Sequence, residues 1–123
     1  MKAIVLIVLI SCTSLVSAQD AWSTWNTTQC YDNIQFRTRH IKKYGKRHQW
    51  EVQFKNNYNR LVVFNYGISE SEQELALTTN RKTLEAGQAS DPISLYTQVE
   101  NFYILVDMLS FYTDNRVFEP CNP

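Results

Sequence analysis

Apolar and polar positions alternate along this chain in short blocks, and turn residues separate the blocks. The clearest block is residues 48–55 (HQWEVQFK), where Trp50, Val52 and Phe54 interleave with Gln49, Glu51, Gln53 and Lys55. A period of two buries one face of a strand and wets the other. Upstream, Ile34, Phe36, Thr38 and His40 share one face of a second strand, with Gln35, Arg37 and Arg39 opposite. Between them Lys42-Lys43-Tyr44-Gly45-Lys46 reads as a hairpin turn, with glycine available for positive φ.

Further along, Asn56-Asn57-Tyr58-Asn59 is a turn by composition, and residues 61–68 (LVVFNYGI) read as a strand covered on both faces. Residues 69–74 form an acidic loop. Residues 70–77 carry some helical propensity over too short a span to hold as a helix, and 75–79 read as a strand end. Residues 81–84 are a short strand closed by Glu85-Ala86-Gly87, and Asp91-Pro92 breaks the chain again. Residues 94–97 and 102–109 are the next strands, with 111–113 as an extension of the latter. Asp114-Asn115 then turns the chain into a last strand, 116–119, that delivers Cys121. Seven or eight short strands at spacings of about ten residues, with no amphipathic helix, predict an all-β antiparallel sandwich. The connections are too short for parallel crossovers. Trp50, Phe54, Phe64, Tyr66, Phe102 and Tyr103 are the expected aromatic core.

The N-terminal segment has another character. Lys2, the apolar run 3–10 (AIVLIVLI) and the small residues of Val16-Ser17-Ala18 form the three parts of a secretory signal, residues 1–18. The run is too short to span a bilayer, and the later stretch 102–109 is interrupted by Asp107, so no transmembrane segment is expected. Secretion, extracellular or periplasmic, is the expected location. The alternative rests on Leu9-Ile10-Ser11-Cys12, a lipobox-like run that would tether the chain by a lipid anchor at Cys12. Residues 19–29 are a polar arm carrying Trp22 and Trp25, and 30–123 form one domain. With Cys12 removed, Cys30 and Cys121 remain, and in an oxidising compartment they are expected to pair.

A tryptophan in an early central strand, Trp50, resembles the arrangement in immunoglobulin-like and fibronectin-type-III sandwiches. The likeness is architectural. Cys30 and Cys121 depart from the immunoglobulin pattern, because they tie the first segment to the last and do not bridge the sheets beside the tryptophan. Folds of this class host many functions and imply no catalytic residues.

The formal charge is zero, yet half of the twelve lysines and arginines fall between Arg37 and Arg47. Arg37, Arg39, Lys42, Lys43, Tyr44, Lys46 and Arg47 are therefore the first candidate binding set, for an anionic glycan or an extracellular protein. Trp22, Trp25 and Tyr58 are the second, as the aromatic platform of a carbohydrate-binding module. A small hydrolase built on a carboxylate pair is the third reading. No metal site is expected: His40 and His48 flank the hairpin without a ligand-like spacing, and Glu51 is the nearest carboxylate in sequence. Both histidines read as solvated members of the basic patch. No nucleophile motif or phosphate loop occurs, so no cofactor and no enzymatic activity are expected, and no nucleic-acid reader motif is present. Asn26-Thr27-Thr28 is a glycosylation sequon.

Overall fold

The computed structural model describes residues 21–71, 78, 80–111 and 117–121. The signal segment 1–18 with Cys12, the carboxylates Glu72 and Glu74, the strand end at 75–77 and 79, the extension at 112–113, and the turn and strand start at 114–116 lie outside the described residues.

Seven strands are described: β1 (Asn26–Thr27), β2 (Ile34–Tyr44), β3 (Arg47–Asn56), β4 (Val62–Ser69), β5 (Asn80–Leu84), β6 (Ile93–Thr97) and β7 (Tyr103–Ser110). They form two antiparallel sheets, one in the order β1-β2-β3-β6 and one in the order β5-β4-β7. The chain therefore crosses between sheets after β3, after β5 and after β6. The all-β, sandwich-like architecture expected from the alternation is present.

The inner faces supply the core. Ile34, Val52 and Phe54 from the first sheet meet Val62, Phe64, Leu84, Ile104, Val106 and Leu109 from the second, all 5% exposed or less. Phe54 stands edge-on to Phe64 with ring centres 5.4 Å apart, and Tyr66 lies 5.0 Å from Phe54. Burying each such side chain contributes roughly 1.5–3 kcal/mol. Two expected core aromatics sit elsewhere. Tyr103 opens β7 at the sheet end and is exposed, and Trp50 is half-buried at the rim against Phe102. Tyr31, just beyond the arm 19–29, is buried as well.

One of the wholly enclosed polar side chains is an amide. Asn56 ends β3 where the chain leaves the first sheet, and its amide donates to the carbonyls of Arg60, Leu84 and Glu85. Its Oδ1 accepts from the Tyr58 backbone N–H at 2.9 Å. A buried amide is tolerated because its hydrogen-bonding groups are met, and here they tie the crossover to the β5 turn.

The hairpin between β2 and β3 is tighter than the expected five-residue turn. Tyr44 pairs with Arg47, leaving a two-residue loop of Gly45 and Lys46. Gly45 has φ +58° and Lys46 does not adopt positive φ, the pattern of a type II′ turn suited to the twist of paired strands. Lys42, Lys43 and Tyr44 consequently belong to the strand. A bulge precedes them: His40 pairs with Trp50, but Lys42 pairs with Gln49, so Ile41 is an extra residue on β2. A second irregularity on β7 holds Met108 at φ 50°.

The ends of the domain meet at a disulfide. Cys30 and Cys121 are bonded with Cα atoms 4.6 Å apart across 91 residues of sequence. Nearby, the Tyr31 hydroxyl donates to the Glu119 carbonyl at 2.9 Å, and the Glu119 N–H donates to the Leu109 carbonyl at 2.7 Å. The described part of the expected last strand, residues 117–119, lies beside β7 through this bond but is not strand. Among the described residues no helix is long and apolar enough to cross a membrane.

Candidate functional site

The outward face of the β1-β2-β3-β6 sheet is built by strand alternation and then completed by the bulge. Directly opposed residues of an antiparallel pair share a face. Arg37 opposes Gln53 and Arg39 opposes Glu51, so both arginines point away from the core. Simple alternation would then send Lys42 and Tyr44 inward with His40. The extra Ile41 shifts the phase by one, so Lys42 opposes Gln49, Tyr44 opposes Arg47, and both return to the arginine face. Lys43 moves to the other side, opposite His48. Five residues of the expected basic set therefore share one face, Lys43 leaves it, and Lys46 sits in the turn.

The arm brings the tryptophans to the same face. The Ser23 N–H donates to the Thr38 carbonyl, the Thr38 N–H donates to the Ser23 Oγ, and β1 pairs with Phe36 and Gln35. This registry lays Trp22 and Trp25 against the arginines. Arg39 stands 4.5 Å from the Trp22 ring centre. Arg37 stands 4.8 Å from Trp22 and 4.6 Å from Trp25, and Lys55 lies 5.7 Å from Trp25. Cations and indoles thus interleave along the sheet, each contact within cation–π range. Two more pairs continue toward the hairpin and the β6 edge: Lys42 over Tyr44 at 4.9 Å and Arg47 over Tyr96 at 4.2 Å.

Hydrogen bonds fix the inner cations. Arg37 Nε donates to Gln53 Oε1, and Arg39 Nε donates to Glu51 Oε1, both at 2.8 Å. The Arg39–Glu51 ion pair closes to 2.6 Å. Glu51 is the one carboxylate among the described strand positions of this face, against Arg37, Arg39, Lys42, Arg47 and Lys55. The two candidate sets, basic hairpin and aromatic arm, are one surface apart from Tyr58. That residue lies at the disulfide end, where it packs edge-on against Phe111 at 5.1 Å, and so is separated from Trp22 and Trp25.

The histidines behave differently from the solvated pair expected. His48 is buried, and His40 Nε2 lies 3.1 Å from His48 Nδ1. His40 also stacks edge-on against Trp50 at 4.9 Å, whose Nε1–H donates to Thr97 Oγ1. Glu51 is on the opposite face and is bonded to Arg39. The carboxylate beside the histidines is Glu100, which lines a cleft of about 420 Å³ with His40, Lys43, His48, Trp50 and Asn101. No group of three or more potential metal-ligating side chains converges among the described residues.

The interleaved face had a partial signal in the sequence, namely Arg37 and Arg39 at strand spacing and two tryptophans three residues apart. The histidine contact had one as well, because two histidines that flank one hairpin turn can approach each other; their burial did not. Comparison with protein-family models, curated proteins and solved structures returns no match.

Proposed function

We propose that the chain is a secreted, non-enzymatic binding domain that holds an anionic extracellular glycan on the outward face of the four-stranded sheet. The observation that carries this reading is the phase shift at Ile41, which collects Lys42 and Tyr44 on the side already occupied by Arg37, Arg39 and Arg47. Strand positions two apart repeat at about 6.6–6.8 Å. A flat row of cations at that pitch suits the regularly spaced charges of an acidic polysaccharide better than a compact ligand. The inner arginines, held by Glu51, Gln53 and the indoles, stiffen the face, while the exposed Lys42, Lys46 and Arg47 supply charge to a partner.

Stacking of a neutral sugar on Trp22 and Trp25 is less favoured, because guanidinium groups already stand against both rings. For the finer fold we propose an immunoglobulin-like or fibronectin-type-III-like sandwich. The supporting feature is the strand order: β2-β3-β6 in one sheet with β4 beside β7 in the other follows the A-B-E and C-F pairing of that class. Trp50 then falls on the second strand of the set, where the antibody pattern puts its tryptophan on the third.

The test is binding of oxidised protein to a sulfated polysaccharide and to a neutral one, at low and high salt. Expected are binding of the sulfated chain only, a steep loss with salt, and a loss of roughly tenfold when Lys42, Lys46 and Arg47 are all changed to Gln. Salt-insensitive binding, or an unchanged affinity in the triple variant, would overturn the reading.

A further inference from the structure

The two histidines of the chain meet on the inner side of the hairpin, away from the proposed glycan face. His40 pairs in register with Trp50 and His48 with Lys43, so the imidazoles are diagonal neighbours across β2 and β3. His40 Nε2 and His48 Nδ1 are 3.1 Å apart and the ring centres 5.3 Å apart, so the facing nitrogens lie close to the line joining the rings. Such a contact holds one proton, donated by one ring and accepted by the lone pair of the other. Proton count then decides what the contact tolerates. The neutral pair carries two ring protons, one of them in the contact. A third enters at the outer nitrogen of the donor ring, makes that ring an imidazolium and strengthens the bond. A fourth has only the accepting lone pair left to bind. It sets two N–H groups head to head and two positive charges at contact distance. The contact therefore survives one added proton and is broken by a second.

We propose that His40 and His48 are a proton-operated latch on the β2–β3 hairpin, closed near neutral pH and released when both rings are protonated. Among the described residues the charged groups of the adjoining cleft are Lys43 on β2 and Glu100 on the β6–β7 loop. Lys43 adds to the repulsion, and Glu100 offers a released His40 ring a carboxylate on the open side. Trp50 on β3, held by Thr97 on β6, packs edge-on against His40 and carries no charge. Arg39 on β2 and Arg47 on β3 alternate to the opposite face. His40 is half-buried beside the cleft and is the ring with room to leave. His48 is buried, and release leaves it charged without its partner, a costly state that the hairpin relieves by opening around it. The segment that loosens is the end of β2 and the start of β3, which also carries Lys42, Tyr44 and Arg47. The latch thereby regulates the charged face, a consequence that rests on the glycan reading. Its sign is distinctive: added protons alone tighten the hold on a polyanion, whereas release of the latch weakens it.

The test uses tag-free, oxidised, ¹⁵N-labelled protein between about pH 7.5 and about pH 5, a window above the ordinary carboxylate values that brackets the ordinary histidine one. The chain contains two histidines in all, so every imidazole signal reports on the latch. Expected are nitrogen shifts of one shared proton at the upper end, and loss of the His40 Nε2–His48 Nδ1 contact at the lower. Amide exchange at residues 42–44 and 47–49, corrected for its intrinsic pH dependence, should accelerate roughly tenfold as the contact is lost, while β4 stays protected. His40→Gln takes up no proton and should remove this pH dependence. Affinity for a sulfated polysaccharide should fall with the same midpoint in the wild type and should not fall in His40→Gln. Exchange that ignores pH, a contact kept with both rings protonated, or wild-type behaviour in His40→Gln would overturn the latch. The wild-type shifts and exchange decide the matter even if the variant folds poorly. Tighter polysaccharide binding at low pH in the wild type would overturn the regulation. Failure of the polysaccharide to bind at any pH would instead overturn the glycan reading, with the latch still decided by exchange.

Discussion

The guanidinium of Arg37 touches both tryptophans of the arm, 4.8 Å from the Trp22 ring centre and 4.6 Å from Trp25. Among the described residues it is the one cation shared by the two rings, and its Nε–H is bonded to Gln53. Arg37→Ala should release the arm from β2, at a cost of about 1–2 kcal/mol for two partly desolvated contacts. Amide exchange at Ser23 and at residues 26–28 should accelerate while exchange in β3 and β4 stays slow. Unchanged protection in the arm would mean that its backbone pairing suffices.

Joining residues 91 apart in sequence removes much of the freedom of the unfolded chain. Replacing Cys30 and Cys121 together by Ser should lower stability by about 4–5 kcal/mol on the chain-entropy model. Denaturant unfolding of the oxidised and double-serine proteins would read the difference. A loss under about 1 kcal/mol would show that the Tyr31 and Glu119 contacts already hold the ends together.

Asn56 satisfies three carbonyls and one N–H inside the fold. Asn56→Ala leaves the enclosed Leu84 carbonyl without this donor and opens a small cavity, so a loss of about 2–4 kcal/mol is expected. Asn56→Asp should be at least as damaging near neutral pH, because a carboxylate offers the carbonyls no proton. Equal stability of the Asp variant and the wild type would refute this account of the crossover.

The hydroxyls of Tyr31, Tyr58 and Tyr66 are all pushed above the ordinary tyrosine value of 10.0, in each case chiefly by burial. Nearby Glu119 adds to the rise at Tyr31 and Tyr58. The unfolded chain releases these protons near pH 10 and the folded chain keeps them longer. Stability is therefore full below that pH and declines as pH rises through the folded values. Tyrosine absorbance and circular dichroism followed through alkaline titration should show these phenolates appearing together with unfolding. Complete ionisation of the tyrosines with the fold intact would contradict it.

Strands that are wet on one side were the most legible part of the chain. β3 was bounded from alternation to within a residue at each end, and β4 was recognisable from its β-branched run. The Cys30–Cys121 bond followed from cysteine count and compartment. The unread features all depend on registry between segments. Ile41 is an ordinary β-branched residue with no mark of a bulge, yet it decides the faces of Lys42, Lys43 and Tyr44. The docking of residues 22–28 on β2 depends on backbone bonds at Ser23 and Thr38 that polar composition does not announce. Tyr58 and Tyr103 exchanged the roles expected of them because both sit at element ends, where alternation no longer tells inside from outside.

The extra residue at Ile41 is spare length that the hairpin absorbs without losing its facing. Many substitutions at that position would leave the charged face intact. Deleting the residue would leave it intact as well, because the pairs of Lys42, Lys43 and Tyr44 would then continue the His40–Trp50 pair without a gap. In a lineage of such chains, position 41 would tolerate loss as well as exchange, and the feature to follow would be the two-residue turn at Gly45 and Lys46 that sets the register.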